Sequence, residues 1–142
     1  MSNILLAIDG SAYTKKMLAY LAAHDALLAA DNNTYTVLNV QSALPNRARG
    51  ALGKEVVESY YADEAAKVVN PVVKFLARHG IEAKVITKVG NAGETIAKTA
   101  DGCRYDLLVM GSHGHGALGT LVLGSVTNQV LARSKVPVLL VR

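Results

Sequence analysis

The residues best suited to chemistry lie between Gly111 and Ser125, where glycines at 111, 114, 116, 119 and 124 punctuate the run GSHGHGALGTLVLGS. Glycine lets a backbone approach a ligand closely and adopt positive φ, and a stretch closing on Gly124-Ser125 before an apolar-periodic segment opens a helix at its positive end. Ser125 and the amides of Val126 and Thr127 would face a ligand there, and the chemistry they suit is phosphate binding. Spacing alone is equally met by a long turn followed by a serine helix cap. Two familiar phosphate loops are excluded. The Walker pattern needs Gly-Lys-Ser/Thr, yet Leu123 precedes Gly124 and Val126 follows Ser125, so the gripping lysine is missing. Gly114-His115-Gly116-Ala117-Leu118-Gly119 spells Gly-x-Gly-x-x-Gly, but after the fourth strand-like run, whereas a dinucleotide fold places it after the first.

Other reactive types are sparse. Asp9 closes the first apolar run and reads either as a ligand beside a bound phosphate or as a plain turn residue. His113 and His115 are metal-like in type, but with no cysteine or carboxylate beside them they make a weak zinc signal. His115 suits a phosphate better, and its protonation there would strengthen binding as pH falls. Cys103, the one cysteine, cannot close an intramolecular disulfide and points to a reducing compartment.

These residues are positioned by alternating elements. Ile4–Ile8 is a buried strand ending at Asp9-Gly10-Ser11, and Ser11 is placed to cap a helix running from Ala12 to about Ala30. Tyr35–Val40 is a second strand. The polar stretch from Gln41 to Gly53, carrying Pro45, Arg47 and Arg49, reads as a mobile connection. Glu55–His79 is helical, with Val56, Tyr60, Ala66, Val69, Val73, Leu76 and Ala77 near one face and a kink or break expected at Pro71. Ala83–Val89 is a third strand, and Asn91-Ala92-Gly93-Glu94 opens a helix as a capping box. Asp106–Met110, Val126–Ala132 and Val136–Val141 follow as strand, helix and strand. Such alternation implies right-handed crossovers and an open parallel α/β sheet with helices on both faces. Ligands of such sheets bind beyond the carboxyl ends of the strands, which gathers Asp9, Val40 and Gly111 around one crevice.

The composition bounds the function. A chain of 142 residues that is 51% apolar suffices for one domain spanning 1–142. No apolar run approaches the roughly 18 residues that would cross a bilayer, and Met1-Ser2-Asn3 leads straight into a strand with neither basic leader nor signal core, so a cytoplasmic protein without a membrane partner is expected. The net charge of +4 is spread over several elements with few interleaved aromatics, which argues against a nucleic-acid surface and suits a polyanionic ligand.

Gly111, Gly114, Gly124 and Ser125 together read Gly-x2-Gly-x9-Gly-Ser. With the Asp9 strand end, the Val40 strand end, the Val89-Gly90 turn and the closing Val136–Arg142 strand in order, the whole chain resembles the ATP-binding branch of the universal stress protein family. The resemblance implies a Rossmann-like fold of the adenine nucleotide alpha hydrolase type, five parallel strands in the order 3-2-1-4-5. It implies ATP with Mg2+ or Mn2+ as ligand, AMP or cyclic AMP being the alternatives. Asp9 would stand beside the nucleotide with Ala7 nearby, and Val40 would meet the adenine edge through its backbone. Gly111 and Gly114 would approach the ribose and first phosphates, Ser112, His113, His115, Gly116 and Ala117 would line the loop, and Ser125, Val126 and Thr127 would donate to the outer phosphates. Asp9 is the one protein side chain placed to touch the metal, which would bridge phosphate oxygens. The family also suggests a homodimer through the Val138–Val141 strand.

Three functions fit this picture: a nucleotide-dependent stress or signalling protein read by a protein partner, a slow ATPase or autophosphorylating protein using Thr120 or Ser125, and a dimer module without nucleotide. The loop offers no evident general base and no fixed lysine or arginine for the transferring phosphoryl group, so efficient catalysis is not expected.

Overall fold

Ile4–Ile8 is buried along its whole length, the pattern of a central strand covered on both faces. In the computed structural model, which describes residues 2–24, 32–114 and 123–142, this run lies in β1 (Ser2–Ile8). The order then follows as α1 (Ala12–Ala23), β2 (Asn33–Gln41), α2 (Asn46–Leu52), α3 (Lys54–Arg78), β3 (Lys84–Val89), α4 (Ala92–Gly102), β4 (Leu107–Gly111), α5 (Ser125–Arg133) and β5 (Val138–Val141). The strands form one parallel sheet in the order β3-β2-β1-β4-β5, as expected. Leu6 stands beside Val37 on one neighbour and Val109 on the other.

Alternation along the strands divides the core. Ile4, Leu6 and Ile8 point to one face, where Met17 and Leu21 of α1 and Val72 and Leu76 of α3 pack. Leu5 and Ala7 point to the other, against Ile96 and Ala100 of α4 and Val130 of α5. The winding reverses between β1 and β4, so their carboxyl ends open a crevice between Asp9 and Gly111.

Several elements differ from the sequence reading. α1 ends at Ala23 with His24 as its C-cap, while the rest of the expected helix, 25–30, lies outside the described residues. The polar connection after Gln41 contains α2, a short helix with no buried residue. α3 runs through Pro71 unbroken; the proline is on the exposed face, where the carbonyl of Lys67, left without its helical donor, costs little beside solvent. Its buried face is Val57, Ala65, Val69, Val72 and Leu76, whereas Val56 and Tyr60 are exposed. Ser11 occupies the N-cap of α1 without making a cap bond, and its buried hydroxyl has no hydrogen-bond partner among the described residues. Asn91 does cap α4, its side-chain oxygen accepting from Glu94 N at 3.0 Å. β3 is an edge strand exposed along most of its length, with Lys84 and Lys88 along it and Ile86 half-buried against the core.

Helices α4 and α5 meet at a residue without a side chain. A β-carbon on buried Gly93 would lie 2.2 Å from Gln129 Oε1 and 2.5 Å from Gln129 Cβ, so no rotamer of Gln129 clears it. Gly102, in the same helix, faces open space. Gly93→Ala is therefore expected to lose about 1–3 kcal/mol through overpacking. Gly102→Ala is expected to gain about 0.5–1 kcal/mol through reduced unfolded-state entropy. Urea unfolding of the two variants checks both signs.

Candidate functional site

One wall of the crevice is the turn between β1 and α1. Asp9 Oδ1 accepts from Ser11 N at 2.9 Å and from Thr14 Oγ1 at 3.0 Å. Thr14 Oγ1 in turn accepts from Asp9 N and Gly10 N, both at 3.2 Å. Gly10 has φ +78°, a left-handed conformation that favours glycine at the centre of this turn. The turn thereby fixes the Asp9 side chain and directs its second oxygen across the crevice, where Oδ2 lies 2.8 Å from the place a β-carbon on Gly114 would occupy. Asp9 thus serves the local turn and faces the glycine loop at once. The pattern Asp-Gly-Ser-x-x-Thr carries this geometry in the sequence, although Thr14 was not among the expected site residues.

The opposite wall begins at Ser112, which is 1% exposed. Its N–H donates to Val141 O at 2.9 Å, and its carbonyl accepts from Gly124 N at 2.9 Å. Thr127 Oγ1 lies within hydrogen-bonding distance of the carbonyls of Gly111, at 3.1 Å, and Ser112, at 3.2 Å. The Thr127 hydroxyl is therefore spent on the backbone of the loop, and its amide is the group left for a ligand. The His113 ring lies 2.9 Å from Ser112 Oγ through Nδ1. It also rests against Tyr13, with ring centroids 5.1 Å apart, and Lys16 Nζ sits 4.7 Å from the Tyr13 centroid. Tyr13 and Lys16 escaped the sequence reading because nothing in their spacing links the first turn of α1 to a loop about a hundred residues away.

The loop glycines correct another expectation. Gly111, Gly114 and Gly124 do not adopt positive φ. They are needed because space is short. A β-carbon on Gly111 would meet Tyr13 Cβ at 2.6 Å, and one on Gly124 would meet His113 Cα at 3.2 Å. His115, Gly116 and Ala117, and Thr120 with them, lie outside the described residues.

Beyond the loop, Gly124 is the N-cap of α5 and Ser125 its exposed first residue, so the serine is not the cap. The first bond of the helix runs from Asn128 N to Gly124 O at 3.0 Å. The amides of Ser125, Val126 and Thr127 consequently have no acceptor within the helix and form its positive end. Gly111–Ser125 holds no lysine, arginine or carboxylate, so its groups suited to an anion are these backbone donors and the two histidines, His113 and His115. Val40 and Ala7 end or line neighbouring strands, Ala7 buried and Val40 packed beside the α4 and α5 side of the core. Among the described residues no group of three or more metal-ligating side chains occurs, so a cation here would draw on Asp9 and on a ligand's own oxygens. Ionisation is displaced on exposed helix faces, at Lys67, raised by its hydrogen bond to Glu64, and at Glu94, lowered by its hydrogen bond to Lys98.

A model of the universal stress protein family matches residues 1–142. The chain belongs to that family. It is 32% identical to universal stress protein Slr1230 of Synechocystis over 142 residues, all of this chain but 43% of that protein's length. It is 31% identical to a universal stress protein of Thermus aquaticus over 141 residues, 99% of this chain and 98% of the relative. The structure of MJ0577, a universal stress protein of Methanocaldococcus jannaschii, superposes with a TM-score of 0.81 at 28% identity, covering 99% of this chain and 94% of that one. Two more distant family structures share the fold. One from Arabidopsis thaliana with AMP bound has TM-score 0.69 and 16% identity, covering 99% and 91%; one in complex with cAMP has 0.63 and 23%, covering 99% and 97%. Among the described residues, no helix is long and apolar enough to cross a membrane.

The staple formed by Thr127 should be measurable as stability. Thr127→Val leaves two loop carbonyls without their hydroxyl partner and is expected to cost about 1–3 kcal/mol. Thr127→Ser, which restores the hydroxyl, should recover most of it in the same thermal melts.

Proposed function

We propose that the crevice between Asp9 and the amino end of α5 binds an adenine nucleotide, with ATP and Mg2+ as the physiological pair and AMP or cyclic AMP as alternative ligands. The observation that carries this reading is the set of three amides at Ser125, Val126 and Thr127, without acceptors in their helix, at the end of a loop whose sequence holds no lysine, arginine or carboxylate. Support comes from family relatives that hold AMP and cAMP. On this reading Gly111, Ser112 and Gly114 approach ribose and first phosphates through their backbone, Val40 meets adenine, and Asp9 faces a magnesium ion bridging the phosphates. His115, Gly116 and Ala117 would complete the loop.

Nucleotide occupancy is then the signal of a cytoplasmic stress-response protein. Ligand present at 100 times its Kd contributes about 2.7 kcal/mol to the bound state, enough to set which conformation a partner meets. The protein acts as a homodimer paired through β5. That strand is apolar along Val138–Val141, while the opposite edge carries Lys84 and Lys88, the usual guard against unwanted pairing.

The site is tested with a variant that spares the fold. Ser125→Asp puts a carboxylate at the first residue of α5, where the helix dipole welcomes it but a phosphate is repelled. Calorimetric titration of ATP with Mg2+ is expected to show micromolar binding by the wild type and binding weakened at least about tenfold in the variant, with its melting temperature undiminished. Equal binding by both proteins, or none by the wild type, overturns the proposal. Sedimentation equilibrium should show a dimer; a monomer throughout would remove the β5 pairing.

A further inference from the structure

Tyr13 belongs to no part of the site just described, yet it touches the loop at its first turn. Its β-carbon occupies the space that a side chain on Gly111 would need, and its ring leans on the imidazole of His113 at a centroid distance of 5.1 Å, tilted by 39°. Lys16 also engages the ring, its ammonium standing over it 4.7 Å from the centroid. An aromatic face attracts a cation, and an imidazole packs well against the same ring, so Tyr13 is gripped between α1 and the loop.

The grip matters because the turn it touches is intrinsically loose. Gly111-Ser112-His113-Gly114 contains two glycines, and glycine has the most conformational freedom to lose. Thr127 and Gly124 restrain this turn from the α5 side, through the carbonyls of Gly111 and Ser112. Tyr13 restrains it from the α1 side, through Gly111 and the His113 ring. A turn clamped from both sides holds its amides in one orientation before a ligand arrives, which spares the ligand the cost of ordering it.

We propose that Tyr13 is a positioning residue for the phosphate loop, setting the orientation of the Gly111–Gly114 turn through Gly111 and His113 without contacting the ligand. This rests on the nucleotide reading above for its ligand, and on the packing of Tyr13 against Gly111 and His113 for its contact. Two measurements on wild type, Tyr13→Phe and Tyr13→Leu separate the two claims. In ligand-free protein, the 1H–13C signals of the His113 ring should move in Tyr13→Leu, where the aromatic face is lost, and stay near their wild-type positions in Tyr13→Phe. Calorimetric titration with ATP and Mg2+ should show Tyr13→Leu weakened about tenfold and Tyr13→Phe unchanged, both variants remaining folded by their dispersed amide spectra. Unchanged His113 signals in Tyr13→Leu, or wild-type affinity in that variant, overturn the positioning role. Equal weakening in Tyr13→Phe overturns it as well, since the hydroxyl would then be a direct ligand contact. If the wild type binds no nucleotide, the functional reading fails, and the clamp stands or falls on the His113 signals alone.

Discussion

The peptide groups on either side of Ser112 hold the sheet edge, the glycine loop and the amino end of α5 in one arrangement. The N–H reaches Val141 on β5, and the carbonyl receives both the Gly124 amide and the Thr127 hydroxyl. In a buried position each of these bonds is worth more in its breaking than in its making, since an orphaned carbonyl loses water without gaining a partner. The consequence is that α5 cannot swing away from β4 independently of the loop. The same Ser112 peptide ties the loop to Val141, the last residue of β5.

This restraint changes what the glycines mean. A Gly-x2-Gly-x9-Gly-Ser pattern invites the view that its glycines exist to let a ligand approach. Here the protein itself also limits each one: a β-carbon on Gly111 would clash with that of Tyr13, one on Gly114 with the carboxylate of Asp9, and one on Gly124 would crowd the backbone of His113. A substitution at Gly114 therefore displaces Asp9 before it obstructs any phosphate, and a loss of binding in such a variant says little about where the ligand sits. Ser125, exposed and free of any capping duty, is the position where the ligand can be probed without first disturbing the loop.

The sheet was legible in the sequence because its signal is local and redundant. Ile4–Ile8 and Leu107–Met110 are apolar runs too short for buried helices, and glycine or aspartate bounds each, so their type and order followed directly. The phase of α3 was harder to read. Val56 and Tyr60 match the helical period as well as Val57 does, and only the tertiary packing, which buries Val57 and leaves Val56 and Tyr60 exposed, decides between them. Ser11 and Ser125 show the same limit from the polar side. Both stand where a capping serine belongs, yet one has no capping bond because Thr14 and Asp9 organise that turn, and the other has been displaced into the helix by Gly124. The candidate site was legible as a loop and an aspartate; Tyr13 was not, because its role exists only where α1 lies across β4.

The charge arrangement of the crevice leads one step further. Asp9 Oδ2 lies beside Gly114, and the amides at the start of α5 have no acceptor within their helix. A bare polyphosphate entering there would gain from the amides and be opposed by Asp9. Were the site built for an anion alone, an asparagine would keep the turn that Asp9 makes with Ser11 and Thr14 and would cost nothing in repulsion. A carboxylate would become an asset once the ligand brings a divalent cation, because Asp9 would then help to hold the cation that the phosphate oxygens carry. On the proposed reading, the same aspartate that closes the β1–α1 turn would favour a metal-bearing nucleotide over a bare one, a preference that a loop without lysine, arginine or carboxylate would not express by itself.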